Sequence, residues 1–166
     1  TFRDEVRARR GTDSAAELTL AYVAELVENQ LSIDAIHRLY HGVPVDSLLD
    51  VLAASFELQE AGEVTTEFAT ETVRRGALCA VRPDGTGVWL TPIERAFEGV
   101  RALDGAYLEH ALRDNDISVS YQHGVQNVLS LVAGGEAAAG VLIRPTSIVE
   151  IRRTADDERR DRGHLL

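Results

Sequence analysis

The chain has no lysine, no methionine and a single cysteine, and each absence excludes something. All 17 basic residues are arginine. A Walker-type phosphate loop closes on a lysine, and Schiff-base or pyridoxal chemistry needs a reactive amine. This chain houses none of these unless another segment supplies the group. Cys79 alone leaves no internal disulfide and no thiolate set for zinc. No apolar run approaches the roughly 20 residues that span a bilayer, and no cleavable signal pattern opens the chain. The expected location is cytoplasmic.

What is present is acidic. The 27 carboxylates outnumber the arginines and leave a net charge of −10. Such a surface repels a phosphate backbone, so the expected partner is a small-molecule substrate, not nucleic acid or a membrane. With 166 residues and 45% apolar side chains, the chain can bury one real core. Residues 2–10 read as the end of a helix stopped by Gly11. The charge-mixed stretch 156–162 has no apolar face and reads as frayed. With no Met present, the expectation is a fragment: one α+β domain over 1–158, a frayed tail over 159–166, and missing N-terminal and C-terminal segments of its own chain.

The patterning predicts a mixed, largely antiparallel sheet with packed helices. Leu18, Leu20 and Tyr22 suit a buried strand, with Ala and Glu leaving a helix open, and residues 31–34 suit a short extended piece. Val45, Leu48, Leu49, Leu52 and Phe56 form one apolar stripe of a helix over 45–56. A helix is expected over 65–75, capped by Thr65 or Thr66 and stopped by Gly76. Residues 77–82 and 88–91 read as strands of a hairpin turning through Pro83-Asp84-Gly85-Thr86-Gly87. Asp104 is placed to cap a helix carrying Tyr107, Leu108, Ala111 and Leu112. Ile117, Val119 and Tyr121 alternate as a half-buried strand. Val125, Val128, Leu129 and Val132 mark a helix ended by Gly134-Gly135. Residues 138–144 read as a strand ended by Pro145, and Ser147 and Glu150 have capping-box spacing for a last helix. Strand, helix and strand over 116–144 make a parallel or crossover pairing plausible. The expected core includes Leu18, Leu20, Val119 and Leu142.

The densest chemistry lies in Ile36-His37-Arg38-Leu39-Tyr40-His41-Gly42-Val43-Pro44, read as a loop. Arg offers a planar fork of donors and His a further donor, which suits a grip on an anion or phosphate. The plainer reading has Arg38 capping carbonyls or pairing with a buried carboxylate. His37 and His41 share a metal only on a helix, which Gly42 and Pro44 oppose, so no metal is expected. Tyr121-Gln122-His123-Gly124 sits where a strand meets a helix start, a place where free N–H groups attract anions. Otherwise Tyr121 is core and His123 a cap or solvent group. Arg144 ends a strand before the hydroxyls of Thr146 and Ser147, which capping alone can explain. Cys79 and Trp89 read as packing residues, and His110 as solvated. His37 and Arg38 are expected to face Tyr121 and His123 across one concave surface.

Ile36-His37-Arg38-Leu39, followed by Gly42 and Pro44, resembles the "Pro-Thr-His-Arg … His-Gly-Leu-Pro" block of the bacterial and archaeal family called domain of unknown function 1015. Leu103-Asp104, Ile117-Ser118-Val119-Ser120-Tyr121 and Val141-Leu142-Ile143-Arg144-Pro145-Thr146 resemble its later landmarks, in order. Two hallmark blocks, Asp-Gly-His-His-Arg-Tyr and Met-Pro-Pro-Lys-Ser-Thr, are absent. Some members resemble ATP-dependent free serine kinases. The resemblance thus implies ATP with magnesium and phosphoryl transfer to a free amino acid such as serine in the longer protein. The alternative is a non-catalytic ligand-binding or regulatory domain.

Overall fold

The computed structural model describes residues 2–10 and 34–147. The chain divides into two compact units, Thr1–Leu31 and Ser32–Leu166. In the first unit, helix α1 spans Phe2–Arg10, with Asp4 and Glu5 in its first turn, where the helix dipole favours negative charge. The strand expected around Leu18 and Leu20, residues 31–33, the last helix and the tail lie outside the described residues.

The second unit is α+β. Its elements run β1 (Ile36–His41), α2 (Val45–Leu52), β2 (Phe56–Glu63), α3 (Phe68–Arg75), β3 (Leu78–Val81), β4 (Thr86–Pro92), a 3-10 turn (Glu94–Phe97), α4 (Asp104–Leu112), β5 (Ser118–His123), α5 (Val125–Ala133) and β6 (Ala139–Leu142). The six strands form one sheet in the order β2-β4-β3-β6-β1-β5. Each neighbouring pair is antiparallel, so the sheet is not mixed. The expected crossover is nevertheless there. β5 and β6 both run antiparallel to β1, which lies between them, and α5 carries the chain over it.

Alternation along the strands divides the core in two. Tyr40, Leu78, Ala80, Val88, Leu90 and Val141 pack towards α2, the 3-10 turn and α4. Leu39, Cys79, Val81, Trp89 and Leu142 pack towards α3 and α5. β3 and β6 are buried on both faces, which is why their sequences read as unbroken apolar runs. Gly140 allows α5 to lie close to the sheet: a Cβ there would sit 2.4 Å from Val128 Cγ1. On the opposite face α2 buries Leu48, Leu49 and Leu52, each contributing about 1.5–3 kcal/mol of apolar burial.

The helix is shorter than its stripe. It stops at Leu52, the chain turns at Ser55, whose N–H donates to the Leu52 carbonyl, and Phe56 opens β2. Phe56 still reaches the same core, 5.1 Å from the ring of Phe97. α3 ends as expected at Gly76, which takes a left-handed φ of 65°, but neither Thr65 nor Thr66 caps it; Glu67 occupies that position. The hairpin of β3 and β4 forms at the expected turn, with Asp84 accepting from both the Thr86 amide and hydroxyl. Trp89 stacks on Phe68 at 4.9 Å, and Cys79 is fully buried, its thiol pushed up to about 12 by burial. Val119 is not core: it is 40% exposed on β5, the outer strand of the sheet.

Candidate functional site

The His37 segment is a strand, not a loop. It lies inside the sheet, bonded to β5 on one side and β6 on the other, and Gly42 to Pro44 end it rather than shape a loop around it. Successive side chains on a strand point to opposite faces. His37 and Arg38 therefore cannot grip one anion as neighbours. Leu39 marks the face of His37, and Tyr40 marks the face of Arg38. His37 and Arg38 line different clefts on opposite faces of the sheet, with Ile143 lining both.

On the α4 face, a cleft of about 380 Å3 is lined by Arg38, Arg101, Asp104, Gly105, Glu109 and Arg144, among others. Arg38 is held from three sides. Its guanidinium lies 4.6 Å over the Tyr121 ring, its partner in the β1–β5 register. Its Nη1 donates to the Ile36 carbonyl at 2.6 Å. Its Nη2 is only 2.7 Å from where a Cβ on Gly105 would stand. The first turn of α4 thus receives the guanidinium because residue 105 has no side chain.

Arg144 is clasped by Asp104. The buried carboxylate accepts from the Arg144 amide at 2.8 Å, from Nε at 3.1 Å and from Nη2 at 2.5 Å. The pairing with a buried carboxylate expected as the plainer role of Arg38 falls to Arg144, while Arg38 donates to a carbonyl. Asp104 is the first residue of α4 rather than its cap, and its carboxylate faces Arg144 instead of its own helix amides. In this cleft three guanidiniums meet two carboxylates, so the balance is positive on a chain of net charge −10.

On the α5 face, a cleft of about 500 Å3 is lined by Asp34, His37, Ala69, His123, Asn127 and Ile143, among others. His37 is 3% exposed, and its Nδ1 accepts the Ile143 N–H at 3.2 Å. That bond fixes the tautomer, with the proton on Nε2. Burial holds the ring neutral by lowering its pKa to about 4, and the nearby His123 and Arg38 push in the same direction. His123 is exposed at the end of β5, and Asn127 Nδ2 donates to its carbonyl at 2.9 Å. His123, at the end of β5, lines this cleft together with His37, while Arg38 lies over Tyr121 on the other face.

His41 belongs to neither cleft. Its Nδ1 donates to the Glu136 carbonyl at 3.0 Å and its Nε2 lies 2.7 Å from the Ser120 hydroxyl, so it ties β1 to β5 and to the segment before β6. His110 is not simply solvated: it lies 3.1 Å from an Arg113 nitrogen and edge-on to Phe97. Arg101, Gly105 and Asn127 were not singled out from the sequence. A glycine in the first turn of a predicted helix, where Ala is the better helix former, was the available signal for Gly105.

Among the described residues, no group of three His, Cys, Asp or Glu side chains is placed to hold a metal ion, and no helix is long and apolar enough to cross a membrane. No family model, curated protein or solved structure matches the chain.

Proposed function

We propose that this domain binds a small phosphate-bearing molecule in the α4-face cleft. The observation that carries the reading is the seat of Arg38 over Gly105, beside Arg101 and Arg144. Guanidinium forks match phosphate oxygens bidentately, and a site with local positive charge on an acidic protein concentrates anions against the general field. The Arg144–Asp104 clasp fixes one cation at the rim, and stacking on Tyr121 fixes another, so little side-chain entropy is lost on binding.

The ATP and magnesium implied by the sequence resemblance meet this cleft differently. Its donors suit a phosphate group. A magnesium ion wants several free carboxylate oxygens, and since both oxygens of Asp104 accept from Arg144, Glu109 is the one other carboxylate in the lining. The reading is therefore binding, the non-catalytic alternative, and no transfer step is derived.

The test is calorimetric titration with inorganic phosphate and with glycerol phosphate at low ionic strength. Arg38→Gln should weaken both by about tenfold or more, the worth of one charge-assisted hydrogen bond. Equal affinity in the variant and the parent protein would remove the site.

A further inference from the structure

We infer that the α5-face cleft is a second binding site, taking a small carboxylate monoanion with an apolar substituent. This inference stands independently of the phosphate reading, since it uses other residues on the other face.

The cleft holds an imidazole with one ring nitrogen unpartnered among the described residues. His37 is 97% out of solvent, and its one hydrogen bond uses Nδ1. The Nε2–H that this leaves has no acceptor among the described residues, and a buried donor left unpaired is a cost the fold does not ordinarily carry. Beside it begins α5, a helix of nine residues whose first internal bond runs from the Val128 N–H to the Gly124 carbonyl. The amides of Val125, Gln126 and Asn127 precede that bond, and Gly124 offers no side chain to cap them. Neutral donors from His37 and from the helix start therefore line one cavity, the arrangement a carboxylate's two oxygens need.

The remaining lining chooses the ligand. Ala35, Ala69, Ile143 and Pro145 supply apolar wall, which suits a short hydrocarbon substituent. Asp34 is the one carboxylate among the lining residues, and it disfavours a second negative charge on the ligand. The donors here are neutral, whereas those of the opposite cleft are guanidiniums. A monoanion fits this side, and a phosphate dianion the other.

The experiment is a nitrogen–proton NMR titration of the whole chain at pH 7 with sodium butanoate, with butanamide as a neutral control of the same size and with inorganic phosphate as the dianion. The expected result is a saturable shift of the Val125, Gln126 and Asn127 amides and of the His37 ring nitrogens with butanoate alone. His37→Phe should weaken it at least tenfold. Because that change also removes the acceptor for the Ile143 amide, the parent protein's shift map decides if the variant unfolds. Butanoate shifts that are unsaturable or miss the start of α5 would overturn the proposal. So would equal shifts with butanamide, or phosphate binding at the start of α5.

Discussion

The buried ring of His37 accepts the amide of Ile143, a residue 106 positions later, and thereby ties the end of β6 to β1. The very next amide, that of Arg144, is taken by Asp104 from the opposite face of the sheet. Two consecutive N–H groups leaving β6 are thus held by two different side chains, and the two clefts open on either side of that pair. A consequence is a pH dependence. The folded ring resists protonation down to about pH 4, from an ordinary value of 6.5, mainly because it is buried. Between those values the unfolded chain binds the proton and the folded chain does not, so stability falls as pH falls through this window. The loss should reach up to about 3 kcal/mol near pH 4. Urea unfolding at pH 7 and pH 5 should show a fall that His37→Phe removes; parallel falls in both proteins would contradict the assignment.

The apolar stripe of α2 makes a second prediction. Leu49 is 6% exposed, between the fully buried Leu48 and Leu52. Leu49→Asp puts a charge into this apolar cluster, at a cost of several kcal/mol. A thermal melt should show loss of the cooperative transition at moderate temperature. A melting temperature within a few degrees of the parent would mean that this helix face is wrong.

Asp104→Asn tests the clasp. The substitution keeps the shape of the side chain but removes the charge that Arg144 and its amide donate to, so folding should weaken by about 1–3 kcal/mol. Arg144 is about a third exposed, and water offsets part of the loss. Denaturant midpoints for the two proteins measure it. No change would make the ion pair a surface contact without structural weight.

How much of this was legible in the sequence varied with the kind of signal. Helix α5, the β3–β4 hairpin and the Gly76 stop were readable because periodicity and turn chemistry are local. The His37 segment reads as a loop because Ile-His-Arg-Leu-Tyr-His does not alternate apolar and polar residues as a half-buried strand does. Strand order was not readable at all. That β1 lies inside the sheet, and so sends His37 and Arg38 to opposite faces, depends on pairings with residues about 80 to 100 positions away. His37, Arg38, Tyr121 and His123 do not share the one concave surface expected of them: Arg38 lies over Tyr121, and His37 and His123 line the cleft on the other face. The partners of Arg144 and Arg38, namely Asp104 and Gly105, are adjacent in sequence and became visible only when α4 docked.

The most direct measurement is phosphate titration of Gly105→Ala. The added methyl would stand 2.7 Å from Arg38 Nη2, the tip of a flexible side chain, so the guanidinium must leave its seat while the backbone need not move. Net charge is unchanged, and Ala is favoured over Gly inside a helix by roughly 1 kcal/mol, so the melting temperature should hold or rise. The account predicts this together with a loss of phosphate affinity of about tenfold or more, the worth of one charge-assisted hydrogen bond. Undiminished phosphate binding by a Gly105→Ala protein that folds normally would contradict it.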